Sequence, residues 1–528
     1  MNDQDVYHRR WWILGVLCLS LLVIGLDNTI LNVALPTLVR AIHASNSQLQ
    51  WMVDSYTLVF AGLLLTAGSL GDRFGRRYAL ATGLAIFGAG SVLSAFAGSP
   101  AVLILTRSIM GIGSALIMPA TLSILTNVFP PAERGRAIGI WAGVSGLGIA
   151  IGPVTGGWLL EHFWWGSVFL VNVPVVLFAL VMGRLIVPNS KDPAAPKLDL
   201  VGAGLSIVAL VSLVYGIIEA PTKGWGSSEI LGAFAVGIVF LISFVAWELR
   251  TEHPMLNISF FQNARFTAAS MSVTLVFFAL FGSLFFLTQY LQFMLGYTAL
   301  QAGVRVAPIA LAIMIAAPTS GRLVAKLGNK VMVFVGMTIV AGGLFLLSRA
   351  TLSSGYGLVA VGLPVLGFGM GAAMTPATES IMGSLPLGKA GVGSAMNDTT
   401  RQIGGALGVA VLGSIMTSVY QSQIAPALHL LPAAAAAAAK GSVGAAIVIG
   451  NRIGGAAGQA LADAARTSFI HAMDRGLLAG AIVAMAGALV SLIWLPSRPK
   501  DAEAIEAELE RVTAAVVPQP AGRLAERA

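Results

Sequence analysis

Long apolar runs separated by short polar breaks extend along almost the whole chain, and this pattern predicts its organisation. A helix that crosses the hydrocarbon core of a membrane needs about 20 apolar residues. By this criterion we predict fourteen spans, at residues 12–35, 49–70, 79–98, 101–125, 136–159, 165–187, 199–219, 229–249, 266–294, 303–324, 331–349, 356–382, 391–420 and 475–496. The predicted fold class is therefore an all-α polytopic membrane protein.

The composition supports a membrane protein and excludes several other classes. Of the 528 residues, 56% are hydrophobic and 10% are charged, and the mean hydropathy of +0.84 lies far outside the soluble range. The net charge of +8 comes from basic residues scattered between apolar runs, which is typical of membrane loops rather than of a nucleic-acid-binding surface. Cys18 is the single cysteine, and the six histidines are scattered. We therefore expect no nucleic-acid partner, no metal, no other cofactor and no enzymatic activity.

The segment G-S-L-G-D-R-F-G-R-R at 68–77 lies between two apolar runs and predicts a short loop. Each of its charges would cost about 2.5–3.5 kcal/mol at the centre of a bilayer. Cationic short loops remain in the cytoplasm, and Gly68 and Gly75 allow close approach of the helix ends. The charged residues of the loop are Asp72, Arg73, Arg76 and Arg77.

The distribution of basic residues predicts the orientation of the chain. An even number of spans places both ends on one side of the membrane. Most lysines and arginines fall on that side, including Arg9, Arg73, Arg134, Lys191, Lys330 and Lys389. The opposite loops hold few, such as Arg40, Lys223 and Arg349. We therefore predict that both termini are cytoplasmic, and that the first apolar run is a retained span, because it is longer than the core of a signal peptide.

An internal repeat relates the two ends of the chain. The sequence P-A-T-L-S-I-L at 119–125 recurs as P-A-T-E-S-I-M at 376–382, and G-I-G-S-A at 111–115 is echoed by G-M-G-A-A at 369–373. A weaker copy of the charged loop occurs at 320–333. Because the offsets are all near 255 residues, spans 1–6 and 9–14 are predicted to be related halves, with spans 7 and 8 inserted between them.

The predicted domains follow from this repeat. A six-helix half covers 1–190, two inserted spans cover 191–252, a second six-helix half covers 253–496, and a cytoplasmic tail covers 497–528. The second half includes a long outside loop at 421–474 with helical character, because charged residues interrupt every apolar run there. A re-entrant hairpin is the alternative for this loop.

Three charged side chains lie at least five residues from either end of otherwise apolar spans of the first half. Asp27 lies in span 1, Asp54 in span 2 and Arg107 in span 4. At 1.5 Å per residue, they lie about 8–12 Å from the outer ends of their spans. At that common depth an acid and a base neutralise each other, and charges in membrane spans usually mark function.

Span 5 carries a glycine-rich face within the sequence G-L-G-I-A-I-G-P-V-T-G-G at 146–157. Glycines at i, i+4 and i+8 lie on one helix face and permit close packing, while a proline removes a backbone hydrogen bond and bends the helix. The residues concerned are Gly148, Gly152, Pro153, Gly156 and Gly157. From the residues alone, a purely structural contact between helices is the alternative.

Together these motifs resemble those of the major facilitator superfamily. The 68–77 loop is similar to the signature loop between helices 2 and 3 of that superfamily, and the 146–157 segment is similar to its antiporter motif. The whole chain, including W-M-V-D-S-Y-T-L-V at 51–59, resembles the fourteen-span drug:proton antiporter family, particularly its quaternary-ammonium and multidrug efflux members. The resemblance implies proton-driven export of lipophilic, often cationic, compounds across the cytoplasmic membrane of a bacterium.

The common depth of the intramembrane charges, independently of this resemblance, leads to a hypothesis for their roles. Asp27 is expected to exchange the coupling proton, and Arg107 is expected to tune it. Asp54 is a third candidate for proton coupling. A static ion pair is the alternative for Asp27 and Arg107, and exposure to water near a helix end is the alternative for Asp54. The charged loop and the span 5 glycines are expected to serve conformational change.

Other side chains are candidates for substrate binding or gating. Asp398 lies in span 13 with Arg401 one turn further on, and Glu379 is expected either to form a gating latch with Arg322 or to contact substrate. Polar, aromatic and methionine side chains hold cations and adapt to varied shapes. The candidates of this kind are Gln289, Gln292, Tyr56, Trp141, Phe285, Tyr290, Met374 and Met396. Packing against lipid or neighbouring helices is the alternative for each of them.

The expected partners are small lipophilic substrates, protons and membrane lipids, but not ATP. The segment G-S-L-P-L-G-K-A at 383–390 approximates a phosphate-binding loop, but it has an alanine at the last position and follows a membrane helix rather than a strand. The alternatives to multidrug export are export of one dedicated compound, transport of a lipid, and a sensor or scaffold without transport.

Overall fold

The protein is described by a computed structural model that covers residues 3–191, 198–384, 390–429 and 431–495. The predicted tail at 497–528 and most of the segment resembling a phosphate-binding loop at 383–390 lie outside the described residues.

Helices make up nearly all of the described chain. The α-helices are α1 (Asp3–Ala41), α2 (Asn46–Phe74), α3 (Arg76–Ala95), α4 (Pro100–Val128), α5 (Pro131–His162), α6 (Ser167–Leu170), α7 (Asn172–Ile186), α8 (Leu200–Lys223), α9 (Ser228–Glu248), α10 (Ala264–Gln289), α11 (Ala299–Val306), α12 (Pro308–Ser348), α13 (Gly357–Met382), α14 (Ala390–Ile424), α15 (Ala433–Gly441), α16 (Val443–Ile453) and α17 (Gly455–Trp494). A π-helical turn at Tyr290–Met294 extends α10.

Thirteen helical stretches in the described part of the chain are long and apolar enough to cross a membrane. They agree with the predicted spans except for span 5, which falls on α5. That helix is 32 residues long, and its residues 137–160 carry no charged side chain. The predicted fold class is confirmed. The count of fourteen spans remains a prediction, and α5 would be the fourteenth.

Several predicted boundaries differ from the structure. The predicted loop at 68–77 is reduced to Gly75, because α2 continues to Phe74 and α3 begins at Arg76. Spans 10 and 11 are joined through α12, whose course changes direction at Gly328, where φ is 77°. The segment at 421–474 has the helical character that was predicted for it, and residues 455–474 are the first half of α17. Asp463 and Arg466 pair with each other at 3.0 Å on the exposed surface of this part of the helix. Helix α17 thus begins 20 residues before the predicted start of span 14, and the predicted start of the membrane span at residue 475 stays a prediction.

The inserted helices contact both predicted halves. Helices α8 and α9 pack on each other, and α8 also packs on α2 and α14. The indole Nε1 of Trp51 in α2 donates to the Glu219 carboxylate of α8 at 3.1 Å. Leu58 of α2, Ile218 of α8 and Ala410 of α14 belong to one small buried cluster. The insertion therefore lies against the seam between the halves.

The halves meet at one end of the bundle. We call the end that carries residues 72–77 the basic side, and the opposite end the distal side. On the distal side, the Gln292 amide of α10 donates to the Val33 carbonyl of α1 at 2.9 Å. A Cβ atom at Gly157 of α5 would lie 2.5 Å from the Leu300 Cα of α11. These contacts close the distal side of the seam.

The crossing of α3 and α4 is set by two glycines, and it provides a test of the packing. A Cβ atom at Gly113 would lie 2.7 Å from the Phe87 amide nitrogen, and one at Gly83 would lie 2.8 Å from the Gly113 carbonyl oxygen. Because backbone atoms cannot give way, we expect Gly113→Ala to cost about 1–3 kcal/mol. Thermal unfolding of the purified protein in detergent measures the loss. Gly204→Ala, where no atom lies within 4 Å, is the control and should leave the midpoint unchanged.

Candidate functional site

Asp27 of α1 and Arg107 of α4 form an ion pair inside the first half. Their carboxylate and guanidinium are in direct hydrogen-bond contact, and the residues are 0% and 1% exposed. Arg107 Nε also donates to the Met52 carbonyl of α2 at 3.1 Å. The Asn172 amide of α7 donates to the other carboxylate oxygen of Asp27 at 3.4 Å. Four helices therefore meet at this pair.

Tyr56 belongs to the same cluster. The Arg107 guanidinium carbon lies 4.4 Å from the centroid of its ring, within the range of a cation–π interaction. The Tyr56 hydroxyl is hydrogen-bonded to the Ser114 hydroxyl of α4 at 2.8 Å. We call Asp27, Arg107, Tyr56, Ser114 and Asn172 the ion-pair cluster. The structure thus places Tyr56 against the Arg107 guanidinium, although the sequence analysis suggested a position in a substrate cavity.

Asn172 is the member of the ion-pair cluster that the sequence analysis missed. It is the first residue of α7 and is 1% exposed. Besides Asp27, its amide contacts the Ser91 hydroxyl of α3 at 3.2 Å. The sequence marks Asn172 only as a single amide within the apolar stretch V-F-L-V-N-V-P-V-V at 168–176. An uncharged side chain of this kind does not stand out as the charged residues do.

Asp54 is fully buried, at 0% exposure, and is separate from the ion-pair cluster. In the described part of the chain, neither of its carboxylate oxygens has a hydrogen-bond partner. Gln50, one turn earlier on the same face of α2, is also unpartnered and packs directly on Gly413 of α14. Asp54 therefore lies on the face of α2 that meets the second half, and it does not face water in this structure.

Asp398 and Arg401 lie on one face of α14, as their spacing predicts. Arg401 Nη1 is 3.6 Å from the Asp398 carboxylate, and its guanidinium carbon is 5.5 Å from the centroid of the Phe277 ring of α10. Asp398 is buried, whereas Arg401 is partly exposed. The pair is looser than that of the ion-pair cluster.

Most of the polar candidates for a substrate cavity are engaged with protein atoms. Trp141 Nε1 donates to the Thr121 hydroxyl at 3.2 Å, and the Tyr290 hydroxyl donates to the Thr351 carbonyl at 2.9 Å. Gln292 holds the two halves together through Val33, as described above.

The remaining candidates are the buried Gln289, Phe285 and Met396 and the half-buried Met374. The Gln289 amide nitrogen donates to the Phe285 carbonyl at 3.0 Å. Its amide oxygen has no partner among the described residues. Gln289 thus retains an acceptor that a ligand donor would satisfy.

The segment 68–77, which joins the end of α2 to the start of α3, also contacts α4. Arg76 pairs with Asp72 at 2.7 Å, and its amide donates to the Ser190 carbonyl at 3.0 Å. Gly75 has a backbone φ of 122°, which residues with a side chain rarely adopt. In addition, a Cβ atom at this position would lie 2.7 Å from the side-chain oxygen of Asn189. Gly68 lies close to α4, where its Cβ would be 3.4 Å from Pro119. Glycine is therefore required at 75.

The corresponding loop of the second half has a similar arrangement. In the first half, the Arg76 guanidinium donates to the Ser123 carbonyl at 3.4 Å. In the second half, the Asn329 amide donates to the Ser380 hydroxyl at 2.7 Å. Ser123 and Ser380 occupy the same position in the repeated P-A-T motif. Gly328 has positive φ, as Gly75 does. In each half, the residues of the signature segment are thus hydrogen-bonded to the helix that carries the P-A-T motif, which is α4 in the first half and α13 in the second.

The latch expected between Glu379 and Arg322 is not formed in this conformation. Both residues are exposed, and no ion pair joins them within the described chain.

The glycine-rich face of α5 packs on α1, as its spacing predicts. A Cβ atom at Gly148 would lie 3.0 Å from the Leu22 carbonyl oxygen, and one at Gly156 would lie 2.5 Å from Ile30. At Gly152 a Cβ atom would overlap the Thr29 hydroxyl. Pro153 and Gly157 instead face α11 of the second half, where the Pro153 carbonyl lies against Gly303. Helix α5 therefore joins the ion-pair helix α1 to the seam.

Comparison with known proteins identifies the family. The family model described as Major Facilitator Superfamily matches residues 17–409. The chain belongs to the major facilitator superfamily. It is therefore a membrane transporter rather than an enzyme, and transporters of this superfamily generally need no cofactor.

Related transporters of the superfamily are similar over most of their length. The multidrug efflux pump LfrA of Mycolicibacterium smegmatis is 37% identical over 90% of this chain and 94% of that protein. The tetracenomycin C resistance and export protein of Streptomyces glaucescens is 34% identical over 93% of each. The methyl viologen resistance protein SmvA of Salmonella typhimurium is 34% identical over 88% of this chain and 93% of that protein.

Solved structures of the superfamily share the fold. A bacterial homologue of the human lysosomal transporter Spinster, inward-facing and unoccupied, aligns with a TM-score of 0.65 and 18% identity. The xylose transporter XylE of E. coli, in a partially occluded inward-open conformation, aligns with a TM-score of 0.58 and 13% identity. Each alignment covers 93% of this chain and 98% of the other.

Proposed function

We propose that this transporter is a proton-coupled antiporter that exports lipophilic, mainly cationic, drugs and toxic compounds. It acts in the cytoplasmic membrane of a bacterium, with the basic side and both termini in the cytoplasm. The related efflux and resistance proteins support the substrate class, and the cationic segment at 72–77, where α2 meets α3, supports the orientation. The proton gradient is the energy source, and neither ATP nor a cofactor takes part.

The buried ion pair between Asp27 and Arg107 is the observation that carries this proposal. Two opposite charges in a dry interior stabilise each other, and removing one charge leaves the other unpaired at high cost. A proton on Asp27 would leave Arg107 held only by Tyr56 and the Met52 carbonyl. Proton uptake thereby changes the relative stability of two conformations, as coupling requires. Arg107 positions and tunes the acid, and Asn172 holds its second oxygen.

Asp54 supplies a second proton-sensitive point, at the seam between the halves. A carboxylate that is buried without partners is stable only when it is uncharged. The protonated form of Asp54 therefore fits a closed distal side. Loss of its proton favours a conformation in which the distal side opens and water reaches the carboxylate. The cycle thus couples proton occupancy at Asp54 to which side is open.

Substrate recognition is assigned to the second half. Asp398 is held by Arg401 at 3.6 Å, which leaves room for a cation to compete. Gln289 offers a free acceptor, and aromatic and methionine side chains supply the apolar surface. Because one acid is balanced by one arginine, we expect monovalent cations to be exported better than divalent ones.

Export of a fluorescent lipophilic cation tests this function. Inverted vesicles, whose cytoplasmic face is outside, should accumulate ethidium when their lumen is acidified, and an uncoupler should stop the accumulation. Vesicles without the transporter supply the background rate. Accumulation that persists with the uncoupler present would contradict proton coupling.

Export of one dedicated compound is the second candidate, supported by the similarity to the tetracenomycin C resistance and export protein. The two candidates differ in the range of substrates. A panel of unrelated lipophilic cations should all compete with ethidium for a multidrug exporter. Failure of every member of the panel would favour the dedicated exporter.

Asp54→Asn is expected to hold the distal side closed at every pH, because asparagine resembles the protonated acid. Val33 is 0% exposed at the closed seam, so Val33→Cys in a Cys18→Ser background reports opening. Labelling by an impermeant maleimide should rise with pH in the reporter protein, since Asp54 then loses its proton. It should stay low in Asp54→Asn and rise normally in Glu161→Gln, which removes an exposed carboxylate. A pH response retained by Asp54→Asn would assign the switch to another group.

A further inference from the structure

An apolar groove opens on the surface of the first half, between α3 and α7 at the basic side. Its cavity volume is about 280 Å³. Apolar side chains form its walls: Leu80, Ala81, Leu84, Ala179, Leu180 and Val181. Val181 is 58% exposed, so the groove lies on the outer surface of the helix bundle rather than in its interior. Gly183 leaves the groove open, because a Cβ atom there would meet nothing within 4 Å.

Two arginines lie along this apolar groove. Arg77, near the start of α3, and Arg184, near the end of α7, both line the cavity. Neither has an ion-pair partner in the part of the chain that the structure describes. The neighbouring Arg76 differs, because it is paired with Asp72 at 2.7 Å. The Arg77 guanidinium carbon lies 5.3 Å from the Tyr78 ring centroid, and that ring also lines the groove.

We propose that this groove is a binding site for an anionic phospholipid. Its phosphate lies between Arg77 and Arg184, and one acyl chain follows the apolar walls. Guanidinium groups bind phosphate strongly, and basic side chains at a membrane surface attract anionic lipids. A smaller groove of about 140 Å³ lies on the other side of Tyr78 and accepts the second chain. A free phosphate would satisfy the arginines but leave both grooves unfilled.

The position of the site has a consequence for the transporter. Arg77 belongs to the 68–77 segment that connects α2, α3 and α4, so a bound lipid links this segment to α7. With the basic side in the cytoplasm, as proposed above, the lipid comes from the cytoplasmic leaflet. Lipid binding is measured without transport, so its result does not depend on whether the proposed drug export is correct.

Native mass spectrometry of the delipidated full-length protein tests the site. Phosphatidylglycerol and phosphatidylcholine with the same acyl chains are titrated separately, and binding to the wild type should favour phosphatidylglycerol. In Arg184→Gln that preference should fall about fivefold, and in Arg77→Gln combined with Arg184→Gln it should disappear. Arg250→Gln removes an exposed arginine after α9 and should keep the wild-type preference. Arg184→Lys retains the charge and should restore most of the binding.

A second variant tests the acyl-chain groove separately from the charges. Gly183→Leu should fill the groove while both arginines remain, and phosphatidylglycerol binding should fall. Size-exclusion profiles and thermal midpoints like those of the wild type show that the variants are folded. Equal binding of the two lipids by the wild type would overturn the proposal, and so would unchanged binding in Arg184→Gln or Gly183→Leu. Displacement of the lipid by excess inorganic phosphate alone would identify a phosphate site instead.

Discussion

Asp27→Asn is expected to reduce proton-driven export of ethidium to the background of vesicles without transporter. Asparagine has nearly the same shape as aspartate but cannot exchange a proton. It also leaves the buried Arg107 without its counter-charge, so the proton-dependent change in the ion-pair cluster is lost. The rate of ethidium accumulation in inverted vesicles with an imposed pH gradient measures the effect.

The matched control for Asp27→Asn is Asp463→Asn. Asp463 pairs with Arg466 on the exposed surface of α17, and its side chain is 72% exposed. The same substitution there should leave export unchanged, because exposed ion pairs contribute little. Full export by Asp27→Asn, at wild-type expression, would remove Asp27 as the coupling site. Loss of ethidium binding together with export would point to a folding defect instead.

The second large effect is expected for Gly157→Leu, which should hold the distal side open. A Cβ atom at Gly157 would lie 2.5 Å from the Leu300 Cα and 2.6 Å from the Ala299 carbonyl oxygen. These are backbone atoms of the other half, so a side chain must separate α5 from α11. Each half keeps its own packing, and the protein should therefore fold. Export should fall to background, because the transporter no longer alternates between its two open sides.

Cysteine labelling measures the effect of Gly157→Leu directly. The Val33→Cys reporter should react with an impermeant maleimide roughly tenfold faster than in the closed protein, which corresponds to a shift of about 1.4 kcal/mol between the conformations. Gly139→Leu, on the same helix at a site with no atom within 4 Å, should leave the labelling rate unchanged. Slow labelling in Gly157→Leu would contradict the position of the seam.

Much of this architecture was predictable, because a membrane requires long apolar spans and makes charges within them costly, and both features are visible in the sequence. Charges in apolar spans are so costly that Asp27 and Arg107 stood out, and their common depth indicated that they meet. Glycine spacing predicted a face of α5 for close packing, and the structure shows α1 as the partner. The unpaired state of Asp54 was not predictable, because the pattern along α2 does not show which helix of the other half covers it.

The polar groups without charge were the hardest to place. Asn172 is one amide among apolar residues, and only the fold brings it to Asp27. Gln292 and Trp141 were candidates for a substrate cavity, yet each donates a hydrogen bond to a neighbouring helix. Such contacts depend on helix rotation and on the conformation of the transporter, which the hydrophobic pattern does not specify. The full length of α17, Gly455–Trp494, was also not predictable, because the hydrophobic pattern marks an apolar span and not how far the helix continues beyond it.

Proton movement driven by substrate tests the central claim most directly. Inverted vesicles with an acidic lumen and a pH-sensitive dye are exposed to ethidium, and the loss of the pH gradient is followed. The antiport account predicts that ethidium releases protons from vesicles with the wild type and from those with Asp463→Asn, but not from those with Asp27→Asn. Ethidium accumulation by the wild type without any proton release would contradict it.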